Sequence, residues 1–272
     1  MSYSIKNVLI GSDPEIFIKD KSGELSSAIN LFKGTKDNPI DIGKGCFVQE
    51  DNILVEFNTP PTNNLEVFLK SVDHSKNYIE TILAPLDKEL YYSSSEIATK
   101  KILEDEKANI FGCSPSYNVL DEQSVELNIE LLSEEDRNLR SAGMHIHIGY
   151  EYPEEETNDR LVLCFELFVT LPLINQDLDV HNRRLLYGKI GDSRDKDYGV
   201  ECRSLGGYFL RNEESITDVW NRTLKAIEFA NNSKKTNKEL KELVESCLNS
   251  DKTVNLKNLD KVLNNLNDKQ LA

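Results

Sequence analysis

Ala142-Gly143-Met144-His145-Ile146-His147-Ile148-Gly149 places two of the chain's four histidines two residues apart, with apolar side chains between them. On an extended chain, residues i and i+2 project from the same face and the intervening residue from the other. The stretch therefore reads as a β-strand with Ile146 toward a core and His145 and His147 on the opposite side. Three further segments repeat the design. Gly11-Ser-Asp13-Pro-Glu15-Ile-Phe17 carries two carboxylates. Ile53-Leu-Val-Glu56-Phe-Asn58-Thr-Pro60-Pro61 carries an acid and an amide. Tyr198-Gly-Val-Glu201-Cys-Arg203-Ser204 carries an acid and an arginine.

If these strands are neighbours in one sheet, the polar pairs converge into an acidic, histidine-bearing surface. Carboxylates so crowded repel one another unless cations neutralise them. Oxygen-rich ligands with one imidazole suit Mg²⁺ or Mn²⁺, whereas zinc sites usually want more His or Cys. Taken singly, each pair is also what any sheet with one solvated face presents. Asp13 before Pro14 reads equally as a turn residue, and His145 and His147 as part-buried, hydrogen-bonded side chains. Glu201 with Arg203 reads equally as a surface pair of small energetic weight. The conjunction on four strands, in residue types that bind metal and phosphate, favours a site.

Around these strands the first 230 or so residues alternate short β-like runs with long helical ones. Phe47–Gln49 and Ile53–Phe57 alternate about Asp51–Asn52 and predict a hairpin. Asn63 to Leu90 predicts a helix, with Asn63 or Asn64 as N-cap and Leu65, Phe68, Leu69, Val72, Ile79, Ile82 and Leu83 at helical spacing. A second helix is predicted from Glu155 to Val180, its acidic start matched to the helix dipole, and a third from Glu213 to Asn231. Beyond Asn232 the chain is Lys- and Asn-rich with periodic leucines, and predicts a helical extension. The expected fold class is α+β: one curved antiparallel sheet with long helices on one face. Residues 1–232 would form the main domain and 233–272 the C-terminal helical extension.

Composition narrows the function classes. The 272 residues hold 47 acidic against 32 basic side chains, a net charge of -15. Such a surface repels phosphate backbones, so no nucleic-acid partner is expected. Five scattered cysteines, an odd number without a C-x-x-C pair, argue against a disulfide framework or zinc knuckle and for a reducing cytoplasm. The opening MSYSIKNVLI lacks a signal-peptide pattern, and no run of eighteen apolar residues occurs, so no membrane span is expected. Neither a P-loop nor a protein-kinase motif set is present. Cys113 and Cys202 stand near the motifs, but no base is placed beside them and packing is the expected role.

The ordered set of motifs resembles a known superfamily. Ala-Gly-Met-His145-Ile-His147, Glu201-Cys-Arg203 and Asp13-Pro-Glu15 resemble the G-M-H-x-H, E-x-R and E-x-E strands of glutamine synthetase. A nearer likeness is to the amidoligases related to glutamate–cysteine ligase, in particular the phage-type carboxylate–amine ligases (type 2). There Gly-Ser-Asp13-Pro-Glu15, Glu56-Phe-Asn58-Thr-Pro60, Gly112-Cys-Ser-Pro-Ser-Tyr-Asn118, the His145 strand and Tyr198-Gly-Val-Glu201-Cys-Arg203 follow in this order. The likeness covers about residues 8 to 230.

What the resemblance implies is a glutamine synthetase-like catalytic fold using ATP and two divalent metals, Mg²⁺ or Mn²⁺. Glu15 and Glu56 would hold one metal beside the acceptor carboxylate, and Asp13, His145 and Glu201 the other beside the nucleotide phosphates. His147 and Arg203 would contact phosphate oxygens. Within the stretch from His181 to Arg194, Arg184 would steady phosphate or substrate charge and Arg194 would contact the phosphate. Asn58 would contact substrate. A helix C-terminus is the competing reading of Arg183 and Arg184. The implied reaction joins a small-molecule or peptide carboxylate to an amine (amino acid, peptide or polyamine) through an acyl phosphate, and the implied assembly is a homo-oligomer. Alternatives on the same scaffold are a guanidino-type phosphotransferase, which would release no free phosphate, and a non-catalytic metal-binding interaction module. A metal-dependent hydrolase would need no ATP.

Overall fold

The structure is a computed structural model that describes residues 4–110, 116–125, 133, 136–177, 183–184, 186–250 and 253–270, with side chains to 266. Its axis is β1 (Leu9–Asp20), a twelve-residue strand that pairs with β11 and β5 along its first part and with two short strands along its last. The strands that follow are β2 (Leu25–Ser26), β3 (Ile40–Gly43), β4 (Cys46–Asp51), β5 (Leu54–Asn58), β6 (Lys88–Tyr91) and β7 (Ser95–Ile97). Beyond them come β8 (Ser116–Asn118), β9 (Gln123–Val125), β10 (Leu139–Ser141), β11 (Met144–Gly149), β12 (Asp192–Lys196) and β13 (Gly199–Cys202). Among the described residues, eleven strands form one sheet in the order β3-β4-β5-β1-β11-β13-β12-β8-β9, with β2 and β6 on the far half of β1. Every pairing is antiparallel. β7 and β10 form a separate pair.

Three long helices cover one face. α1 (Leu65–Leu83) lies on β4 and β6, α2 (Glu155–Phe165) on β12 and β13, and α3 (Glu213–Asn232) packs against both helices. Ile16, Phe57, Ile146 and Cys202 point from the sheet into this layer and are buried. Their polar neighbours at i±1 must therefore face away from the helices. The molecule is α+β, with a large antiparallel sheet.

Helix ends correct two expectations. Asn64 caps α1 by accepting from the Val67 amide, but the helix stops at Leu83 rather than Leu90. Pro85 enters a tighter turn and Asp87 adopts φ 55°, which reverses the chain so that Lys88–Tyr91 can pair with β1. The second helix is regular only to Phe165. A π-helical turn over Glu166–Thr170 and short segments to Gln176 follow, and 178–180 lie outside the described residues. The hairpin forms about Asn52, whose φ is 54°.

The C-terminal extension comprises α4 (Asn237–Ser246) and α5 (Leu256–Gln270). Leu240, Val244, Leu259 and Leu266 join the same apolar cluster as the sheet and long helices. Arg160 of α2, fully buried, donates to the main-chain carbonyls of Ala230 (2.5 Å), Ser233 (2.6 Å) and Lys235 (2.7 Å). One side chain thereby holds the junction between α3 and α4. Among the described residues no helix is long and apolar enough to cross a membrane.

Candidate functional site

Strand register decides which polar residues meet. Asp13 lies opposite His145, and His147 opposite Glu201. Glu201 lies opposite Arg194 on its other side, and Glu15 opposite Glu56, which in turn lies opposite Gln49. Directly opposed residues share a face, so six strands present these groups on the helix-free face, where all of them but His147 line one cleft. The cleft has a volume of about 330 Å³.

Two donor groups stand side by side in it. In the first, one ligand atom each from Asp13, His145 and Glu201 lies within 4.8 Å of the others. His145 Nδ1 is 3.2 Å from Asp13 Oδ1 and 3.6 Å from Glu201 Oε1. In the second, Glu15, Asp51 and Glu56 come together to the same limit. Asp51 is new: Asp51–Asn52 reads as turn chemistry, which hides a side chain that shares the face of Gln49 two residues earlier. That i, i+2 relation was the available signal.

The two groups differ in electrostatics. Burial raises the Glu201 carboxyl, but His145, Arg203 and Arg194 outweigh it and leave the group down at about 2. Burial likewise opposes ionisation of Asp13, and His147 and His145 carry it well below the usual carboxylate range. The second group has little compensation. Burial and the Glu15 charge push Asp51 up to about 6, against the pull of Lys36. Burial, then Asp13, Glu15 and Asp51, push Glu56 well above its ordinary range although Gln49 Nε2 donates to it at 2.9 Å. Three acids held together, with the proton affinity of Asp51 and Glu56 raised, are what a hard divalent cation would relieve. Donors within 4.8 Å of one another also suit an ion bound at 2.0–2.6 Å from each. Both donor sets therefore fit Mg²⁺ or Mn²⁺, the first after rearranging the cations that already serve Glu201.

Those cations line one end of the cleft. Arg203 Nη1 donates to Glu201 Oε1 at 2.5 Å, while Lys196 Nζ (2.8 Å) and Arg194 Nη1 (3.4 Å) approach Oε2. Lys196 was not singled out from sequence; its relation to Arg194, two residues on along β12, is the signal that would have found it. His147 Nε2 lies 2.9 Å from Asp13 Oδ1, outside hydrogen-bond geometry, and Nδ1 meets the Tyr198 hydroxyl.

Other anticipated residues are placed differently. Arg184 is not among the residues lining the cleft; it donates to the carbonyls of Gly188 and Ser204. Arg183 borders the cleft, but its guanidinium serves the carbonyls of Ala142, Arg203, Ser204 and Tyr187, so it braces the wall. Cys202 is buried on the helix side, its thiol pushed up by burial and by Glu166 and Glu201, unsuited to a nucleophile. Gly112 to Pro115, His181 and Asn182 lie outside the described residues. A second hollow of about 520 Å³ adjoins the cleft through Asp13 and Asn58. Gly11, Pro61, Gly149 and Tyr198 give it a less polar lining.

No family model and no curated protein matches the chain.

Proposed function

We propose that the cleft is the active site of an ATP-dependent carboxylate–amine ligase of the phage-type amidoligase kind, on a glutamine synthetase-like scaffold. The observation that carries the reading is the pairing of two unlike donor groups on one sheet face. One is rich in cations, the other in carboxylates, and the two share β1 through Asp13 and Glu15.

A carboxylate oxygen is a poor leaving group, so amide formation requires activation. In the proposed route the γ-phosphoryl group of ATP passes to the substrate carboxylate, ADP leaves, and the amine attacks the acyl carbon as phosphate departs. Arg194 and Arg203 face the charge that develops on the transferring phosphoryl oxygens. Bound divalent ions would supply further charge neutralisation to the phosphate and acceptor oxygens. His147 orients toward Asp13 and the phosphate end. The less polar hollow beside His147 suits a nucleotide base and sugar, which leaves the Glu15–Asp51–Glu56 end for the acceptor. Asn58, at the junction of the two spaces, is placed to contact substrate.

The test is release of ADP and phosphate from ATP with Mg²⁺, screened over pools of carboxylates and amines, with Glu201→Gln as the control. Stimulation by one carboxylate–amine pair, giving both products and lost in the variant, establishes the ligase and names its substrates. ADP formed with a stable phosphorylated product and no free phosphate would mark a phosphotransferase instead. Failure to bind nucleotide would overturn the reading.

A further inference from the structure

Glu201 is asked to serve two masters. Its carboxylate, 1% exposed, is a corner of the Asp13–His145–Glu201 donor group and is also the counter-ion of three cations. A carboxylate offers two oxygens with about four lone-pair directions. Arg203 takes one on Oε1, and Lys196 and Arg194 both point at Oε2. A divalent ion entering this group needs one of those directions and is repelled by every cation that stays.

The three cations differ in freedom to leave. Arg203 is 4% exposed and its own amide is tied to the Asp192 carbonyl at 3.0 Å. Arg194 meets Oε2 at the longer 3.4 Å. Lys196 makes the closer contact to Oε2, 2.8 Å, yet its side chain is 27% exposed and lines the open cleft. An ammonium is a compact, strongly hydrated point charge on a flexible four-carbon stem, whereas a guanidinium is a planar, pre-organised fork.

We infer that Lys196 is a displaceable counter-ion: it neutralises Glu201 while the adjoining donor group lacks a metal ion, and yields Glu201 to the metal when nucleotide phosphate offers the ammonium a new partner. The inference rests on the ligase reading of the cleft. Its consequence is a coupling in which Lys196 opposes metal entering alone and favours metal entering with nucleotide. Lys196 is thus a positioning residue for Glu201 in one state and a phosphate contact in the other.

The experiment is Mn²⁺ binding followed by electron paramagnetic resonance of the free ion, with and without adenylyl imidodiphosphate. The wild type is compared with Lys196→Met, Lys196→Arg and, to identify the site, His145→Ala. Without nucleotide, Lys196→Met should bind Mn²⁺ at the His145-dependent site about tenfold more tightly than wild type, a typical size for a coupling between two ligands. The same variant should bind the nucleotide about tenfold more weakly. Lys196→Arg, which keeps the charge and grips Oε2 with a fork, should bind Mn²⁺ no more tightly than wild type. If the wild type binds Mn²⁺ and nucleotide while Lys196→Met binds Mn²⁺ no more tightly, the displacement idea is wrong and the ligase reading survives. If the wild type binds neither, the ligase reading falls and takes this inference with it.

Discussion

Glu166 is fully buried in the π-helical turn beneath the sheet. Burial pushes it up to about 7 from an ordinary 4.5, against a weaker opposite pull from Ser204, Gly191 and Arg184. The folded state therefore holds this proton more tightly than the unfolded chain does. Its contribution to stability is complete below the ordinary carboxylate range, is lost as pH rises toward 7, and changes little above that. At about 1.4 kcal/mol per pH unit, the interval from 4.5 to about 7 amounts to on the order of 3 kcal/mol. Glu166→Gln should remove that dependence. Urea unfolding at pH 5 and pH 8 should show a smaller stability loss in the variant than in wild type, by up to about that amount. Equal losses in the two proteins would mean that Glu166 finds a compensating partner. In the sequence this residue is one acid among Phe165, Leu167 and Phe168, and nothing marks it as buried on every side. Asp51 and Lys196 were hidden for a related reason: a turn dipeptide and a charge-rich strand each have an ordinary explanation. The four polar pairs were readable because alternation ties each to a face, whereas which strands lie adjacent is a matter of tertiary pairing.

At the scale of elements, β13 must approach β11 closely enough to hold Glu201 opposite His147. Gly199, at φ 147°, permits this, since a Cβ there would stand 2.1 Å from the Ile148 carbonyl oxygen. Gly199→Ala should cost roughly 3 kcal/mol or more through strain and lost pairing. It should weaken Mn²⁺ binding at the His145 group beyond what the stability loss explains. Retained stability and metal affinity would show that the strand end is free to shift. Arg160 governs a different junction. Replacing it with Met strands at least three main-chain carbonyls without their charged donor, an effect of about 3 kcal/mol or more. Limited proteolysis should then cut near 233–236 earlier than in wild type; an unchanged pattern would mean α4 is held by its apolar contacts alone. The extension was read from sequence as an appendage because its leucines follow a helical period. That its apolar face completes the central core is tertiary information, and Arg160, which ties the junction, reads in sequence as an ordinary charge within an acidic helix. The end of α1 was misjudged in the same way: helical spacing runs through Leu83, and the strand at Lys88–Tyr91 exists only because β1 lies alongside to pair with it.

The whole molecule carries a net charge of -15 and gathers Asp13, Glu15, Asp51, Glu56 and Glu201 at the middle of one sheet. The site spans the strands on both sides of β1, so an ion in either donor group would tie β1 to the strands on one side and be lost on unfolding. Any ligand bound only by the native state stabilises by RT ln(1 + [L]/Kd), about 2.7 kcal/mol at a hundredfold excess over Kd. For a chain of this size that corresponds to roughly 5–10 °C in melting temperature. Calorimetry in Mg²⁺ against EDTA, at matched ionic strength, should show that shift at pH 8. It should shrink as pH falls through about 6, because the ion must then displace protons from Asp51 and Glu56. The double variant Glu56→Gln, His145→Ala should show no Mg²⁺-dependent shift. In EDTA the single variant Glu56→Gln, which keeps His145 beside Asp13 and Glu201, should melt at or above the wild-type temperature at pH 8, since one crowded charge is gone. The sign of that last comparison separates a site from scaffolding. Acids that merely face solvent lose little when one is removed and respond alike to Mg²⁺ and to K⁺ at equal ionic strength, whereas acids held together for a ligand gain stability when one is neutralised and lose their ion.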